Sequence, residues 1–181
     1  MSALISTLFE TAGSRDRRLA AGTYLFHQGE PVESLFLVTG GEVQLIRHQA
    51  GGSAIVLQRA GPGNILAEAS TFAACYHCDA IARSNATVRG IARSRFLRHF
   101  REEPDFALAW SAQLAREVQA TRLRSEILSL RTVAERLDAW IAWHGALPPK
   151  GEWNQIALQI AVSPEALYRE ISTRKRSHGK E

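Results

Sequence analysis

The chain has 181 residues, 45% apolar and 22% charged, the makeup of a globular protein with one large or two small domains. No apolar run approaches the roughly 20 residues of a membrane span. The opening MSALISTLFETAGSRDRR lacks a signal peptide's basic start, so a cytoplasmic protein without membrane attachment is expected. The net charge of +4 is uneven: residues 1–82 carry five Arg and seven acids, residues 83–181 carry 17 Lys or Arg and 11 acids. The second stretch is the one suited to a polyanion. Two cysteines three positions apart cannot staple a secreted fold and are expected to stay reduced.

Residues 19 to 92 read as β. Short apolar stretches (Thr23-Tyr24-Leu25-Phe26, Ser34-Leu35-Phe36-Leu37-Val38, Glu42-Val43-Gln44-Leu45-Ile46, Ala54-Ile55-Val56-Leu57, Ala86-Thr87-Val88) recur at roughly ten-residue spacing. Gly29-Glu30-Pro31, Gly40-Gly41, Gly51-Gly52 and Gly61-Pro62-Gly63 punctuate them as turns. This pattern predicts an antiparallel sandwich or jelly roll.

From Pro104 the pattern changes. Residues 105–130 contain no Gly or Pro, and Leu114, Val118, Thr121, Ser125 and Leu128 fall at 4-3-4-3 spacing. That is one stripe of a long helix, about 39 Å if unbroken. Such a narrow seam fits a second helix and predicts a dimer, although Thr121 and Ser125 weaken it. Packing on the chain's own β domain is the alternative. A further amphipathic helix is expected over 131–145, carried by Val133, Leu137, Trp140 and Trp143. After a linker at Leu147-Pro148-Pro149-Lys150-Gly151, two short helices are expected near 153–160 and 164–175.

The segment IALQIAVSPEALYREI has helix-turn-helix grammar. Ala157 is small where two helices would cross, Ile156 and Ile160 point inward, Val162 plugs the turn, and Leu167 and Ile171 anchor the second helix. Ser163 is a good N-cap, Pro164 suits the first helical position, and Glu165 favours the positive helix end. The opposite face offers Glu165, Tyr168 and Arg169, then Arg174 and Lys175. A carboxylate accepts from cytosine, an arginine donates twice to guanine, and the basic end meets phosphates. A plain helical hairpin with a solvated charged end is the other reading.

In this order of parts the chain resembles the Crp/Fnr family of bacterial transcription regulators. The resemblance rests on Gly29-Glu30-Pro31, LFLVTGGEVQLIR (35–47), GPGNILAE (61–68), WSAQLAREVQATR (110–122) and the helix-turn-helix segment. It implies an α+β protein: an antiparallel, jelly-roll-like β-roll sensor over 1–104, a dimerisation helix over 105–130 and a helix-turn-helix domain over 131–181. It further implies a homodimer formed through 105–130, with double-stranded DNA, a small-molecule effector and RNA polymerase as partners. Ser163, Glu165, Tyr168, Arg169, Arg174 and Lys175 would be the DNA-binding residues, at two-fold sites about 34 Å apart. Two departures stand out. The family usually continues past the recognition helix into a β-hairpin wing, whereas this sequence stops at RKRSHGKE. Many members also carry a basic residue just after the turn serine, and here it is Pro164.

In cyclic-nucleotide-binding members a Gly-Glu and an Arg-Ser/Thr-Ala form the phosphate cassette. Ala67-Glu68 and Cys78-Asp79-Ala80 take those places here. Glu68 matches, but the arginine is lost and an aspartate is gained. Thr121-Arg122 stands where the long helix would touch the base, and Thr121 alone fits. The expected effector pocket is therefore Glu68, Ala69, Cys78, Asp79, Ala80, Thr121 and Arg122, with an effector other than cyclic AMP.

Cys75-Tyr76-His77-Cys78 leaves three readings open. Cys75, His77 and Cys78 could be haem ligands or a thiol switch, or Cys78 is simply a small buried residue and His77 a hydrogen-bonded surface one. Strand alternation would face Cys75 and His77 one way, Tyr76 and Cys78 the other. No cofactor and no structural metal are expected. The six arginines from Arg83 to Arg101 form either a partner-facing rim or ion pairs with Glu102, Glu103 and acids of the β-roll. Nothing pairs a nucleophile with a base, so no enzyme is expected. A sensor module that has lost DNA binding remains the runner-up.

Overall fold

The computed structural model describes residues 2–11, 14–50 and 54–178, the side chains of 177 and 178 excepted. The expected Gly51-Gly52 turn lies outside them. Two compact units are present, Met1–Leu114 and Ala115–Glu181, with the boundary inside the long helix.

The first unit opens with α1 (Ala3–Glu10), whose Ile5, Leu8 and Phe9 are buried on one face. Eight strands follow: β1 (Arg15–Leu19), β2 (Tyr24–Phe26), β3 (Ser34–Gly40), β4 (Val43–His48), β5 (Ala54–Ala60), β6 (Ile65–Leu66), β7 (Asp79–Ala82) and β8 (Ala86–Ala92). They form two four-stranded sheets, ordered β1-β8-β3-β6 and β2-β7-β4-β5, with antiparallel pairing throughout.

Strand β3 is covered on both faces, which is why it reads as the unbroken apolar run LFLV. Phe36 and Val38 pack between the sheets with Leu25, Val43, Leu45, Cys78, Ala80 and Val88. Leu35 and Leu37 pack on the other side, with α1 and with Phe96, Phe106 and Trp110. Phe96 belongs to α2 (Arg93–Glu102); Phe106 and Trp110 begin α3 (Pro104–Ser129). Phe96 meets the rings of Phe106 and Trp110 edge-on at 5.5 and 4.6 Å, a favoured aromatic geometry.

The second unit gathers Leu123 and Ile127 of α3, α4 (Val133–His144), α5 (Trp153–Gln159) and α6 (Pro164–His178) around one apolar cluster. A capping box starts α4: Thr132 Oγ1 accepts from Glu135 N–H at 3.1 Å, and Glu135 Oε2 accepts from Thr132 N–H at 2.9 Å. Those bonds hold the Glu135 carboxyl below the usual range. A 3-10 turn, Lys150–Glu152, leads into α5, where Trp153 Nε1 donates to the Pro148 carbonyl at 2.9 Å. Among the described residues no helix is long and apolar enough to cross a membrane.

Candidate functional site

The β-roll site forms where the 3-10 turn Glu68–Ser70 comes beside β7. Ala67, which stands in the cassette's glycine place, is left-handed at φ 70°. That conformation is open to glycine at no steric cost and strains alanine, so the backbone need outlasts the residue change. Glu68 is half-buried with Oε2 fully covered, and Ala69 is exposed. Thr71 Oγ1 donates to the Glu68 carbonyl at 2.7 Å, and Arg93 Nε donates to the Thr71 carbonyl at 2.8 Å, so the start of α2 anchors the turn.

Side chains alternate along the segment that leads into β7. Tyr76 and Cys78 are buried, whereas Cys75 and His77 are exposed. Tyr76 stacks on Phe26 at 3.9 Å and donates its hydroxyl to the Ser34 carbonyl at 2.9 Å. Burial, followed by the nearby Glu68 charge, lifts the Cys78 thiol to about 11. The thiolate that a redox step or metal bond needs is thereby suppressed. The His77 ring turns its Nδ1 toward Ser70 Oγ at 2.8 Å, and partial burial with the Arg47 charge lowers its pKa. Cys75, His77 and Cys78 thus do not share a face. Among the described residues no group of three His, Cys, Asp or Glu is placed to hold a metal ion.

Asp79, an expected pocket residue, is engaged with its neighbours. Its Oδ1 accepts from the Gln28 N–H at 2.8 Å and lies 3.5 Å from His27 Nδ1; its Oδ2 lies 3.6 Å from His48 Nε2. The carboxylate is therefore committed to β4 and the turn after β2. Ala80, fully buried, pairs with Phe26 on one side and Leu45 on the other. Sequence reasoning missed Arg47 on β4. Its guanidinium donates to the His77 carbonyl at 2.9 Å and its charge reaches the Cys78 thiol, so a cation from another strand stands near the cassette. Thr121 and Arg122 are exposed on the part of α3 that belongs to the second unit.

These surroundings predict unequal thiols. At pH 8 Cys75 should be labelled promptly by a disulfide reagent, and Cys78 at least about 100-fold more slowly until the unit is unfolded. Two equally fast thiols would contradict the buried placement of Cys78.

Of the arginine run, Arg89 makes a two-pronged bond to Asp16 at 2.7 and 3.2 Å, which lowers the Asp16 pKa. Arg95 donates to Thr11 Oγ1 at 2.9 Å. Arg95 and Arg98 also line a cavity of about 490 Å³ beside Glu102, Glu103 and Asp105, so these cations sit among acids.

The second unit carries the helix pair. Ile156, Ala157, Ile160, Leu167 and Ile171 are buried, and Val162 is half-buried in the turn. The turn closes as a Schellman motif: Val162 N–H donates to the Ala157 carbonyl at 2.9 Å and Ala161 N–H to that of Leu158 at 3.4 Å. Ala161 sits at the left-handed position, φ 51°, and is exposed. Ala161→Gly should therefore stabilise this unit by about 1 kcal/mol, read as a raised urea midpoint at unchanged m-value.

Ser163 caps α6, its Oγ accepting from the Ala166 N–H at 3.2 Å. The Glu165 carboxyl is lowered by its own backbone N–H and by the Ser163 hydroxyl. Glu165 and Arg169 are exposed, as is Lys175. Two expected DNA-binding residues are engaged otherwise. Arg174 bonds Asp138 and the Ala134 carbonyl of α4 together with Glu170, tying α6 to α4. Tyr168 is half-buried against Trp153, ring centroids 5.2 Å apart.

Residues 16–103 match the cyclic nucleotide-binding domain family. The chain is similar to the cyclic AMP receptor protein of Thermus thermophilus, 29% identical over 117 residues, covering 64% of this chain and 54% of that protein. It is also similar to the cAMP-activated global transcriptional regulator CRP of Escherichia coli, 25% identical over 145 residues, covering 79% of this chain and 69% of that one. The chain thus spans about half to two thirds of the curated relatives it matches. The FixK2 structure from Bradyrhizobium japonicum superposes with a TM-score of 0.67 over 91% of this chain and 86% of that chain, at 17% identity, and shows the fold alone. With a β-roll, a long helix and a capped helix-turn-helix pair in that order, the chain is similar to transcriptional regulators of the Crp/Fnr family, and its residues 16–103 match the cyclic nucleotide-binding domain family.

Proposed function

We propose that this chain is a homodimeric, DNA-binding regulator whose β-roll responds to an effector other than cyclic AMP. The observation that carries the DNA-binding reading is the presentation of α6: Ser163 caps it, and Glu165 and Arg169 stand exposed about one turn apart. Self-association is supported by the stripe on α3. Val118 and Leu128 are 48% and 40% exposed, and Thr121 and Ser125 are exposed beside them. Leu114 instead packs into the first unit's core, and the exposed stripe from Val118 to Leu128 is suited to a second copy of the same helix.

The effector reading rests on the cassette. A cyclic phosphate needs a cation that donates twice and free backbone amides. Here the arginine place holds a buried, protonated thiol, and the Asp79 carboxylate occupies the Gln28 N–H. Calorimetric titration with cyclic AMP is expected to give no saturable heat; micromolar binding would contradict the reading.

Fluorescence titration with random duplex DNA at low salt is expected to give non-specific binding of about 1–100 μM. Absence of binding to any duplex would instead select an interaction module without DNA contacts. The engagement of Tyr168 and Arg174 within the second unit is the observation on that side.

A further inference from the structure

We propose that Lys150 and Lys175 form a phosphodiester contact patch on the flank of α6. The inference rests on the DNA-binding reading and adds a residue, Lys150, from outside the helix pair. Four side chains make one strip. Lys150 Nζ lies over the Tyr168 ring, 5.8 Å from its centroid; Tyr168 meets Trp153 edge-on at 5.2 Å; Lys175 Nζ lies over the Trp153 ring at 5.4 Å.

The strip follows from local chemistry. Tyr168 and Lys175 are seven positions apart on α6, two turns along one face. Trp153 is 6% exposed, with its Nε1 held by the Pro148 carbonyl, so its ring is a fixed platform. The 3-10 turn before α5 brings Lys150 to the same aromatic pair. Each lysine thus places its ammonium over an aromatic face at cation–π distance. Both lysines are exposed, and among the described residues neither joins an ion pair; the salt bridges of this unit take Arg174 instead. An aromatic face limits where an ammonium can go without neutralising it. Two such cations flanking a helix that exposes Arg169 suit backbone phosphates, which bind point charges without reading sequence.

The test is fluorescence anisotropy on the full chain with a labelled duplex about three helical turns long, titrated between about 50 and 200 mM salt. Lys150→Gln and Lys175→Gln, singly and together, remove the charge and keep a polar side chain; Lys→Arg at both positions keeps the charge. The slope of log K against log salt is expected to become shallower by about 0.9 for each phosphate that a bound chain no longer neutralises. The double glutamine variant should bind every duplex at least about tenfold more weakly at the low-salt end, with the preference between duplex sequences unchanged. The arginine variant should restore the slope. A wild-type chain that binds duplex, with a double glutamine variant of equal slope, overturns the patch and leaves the DNA-binding reading intact. A wild-type chain that binds no duplex overturns both. Weakened binding that arginine does not rescue assigns the lysines to packing and overturns the patch.

Discussion

Gly41→Ala is expected to destabilise the β-roll by about 3–5 kcal/mol, lowering its melting temperature by about 10 °C or more. Gly41 sits between β3 and β4 at φ 72°, where a side chain is strained whatever the space. A Cβ built there would stand 2.2 Å from the Asn85 carbonyl oxygen and 2.7 Å from the Ala86 Cα, both backbone atoms that cannot swing aside. The neighbouring backbone is committed too, because the Arg83 N–H donates to the Glu42 carbonyl at 2.8 Å. Gly63→Ala is the control. Its φ is 88° but no atom lies within 4 Å of the added methyl, so it should cost only the conformational part, about 1–2 kcal/mol. Circular-dichroism melts of the two variants should differ by the steric term; equal melts would show that the β3–β4 turn does not press on the Asn85 backbone.

Arg136→Ala is expected to cost the second unit about 2–4 kcal/mol. From α4, the guanidinium donates to four carbonyls: Nε to Leu130 at 3.0 Å, Nη2 to Leu128 at 3.4 Å, and Nη1 to Ile160 and Ala161 at 3.1 Å each. The first two are orphan acceptors at the end of α3, the other two those after α5. One cation thus caps two helix ends, where the helix dipoles favour positive charge. Without it the carbonyls of the helix-turn-helix turn lose their donor, and α5 loses its tie to the end of α3. Arg136→Lys should recover less than half of the loss, because a single ammonium cannot span acceptors that a planar fork reaches together. Urea unfolding followed by tryptophan fluorescence checks both variants; a lysine variant as stable as the native chain would assign the effect to charge alone.

What could be read from the sequence was what local pattern encodes. The long helix announced itself by the absence of Gly and Pro after Pro104 and runs to Ser129. The N-cap Ser163 and the buried set Ile156, Ala157, Ile160, Leu167 and Ile171 follow directly from spacing. Strands β3 and β4 were visible because they carry dense apolar runs on either side of Gly40-Gly41.

Strand β1 was not visible, because Arg15, Asp16, Arg17 and Arg18 are exposed on a sheet edge and only Leu19 points inward. Helix α1 is short, at eight residues, too few to set up a clear periodicity. The site was less legible than the fold for the same reason at longer range. Asp79 meets Gln28 across 51 residues, Arg47 meets His77 across 30, and Arg174 finds Asp138 across 36. No periodicity signals such pairs.

Sedimentation velocity of the full chain mixed with a labelled duplex at low salt tests the central claim most directly. The expected result is a complex containing two chains per duplex, formed without cyclic AMP and unchanged by adding it. Labelled duplex that sediments as free DNA beside folded protein would contradict the account.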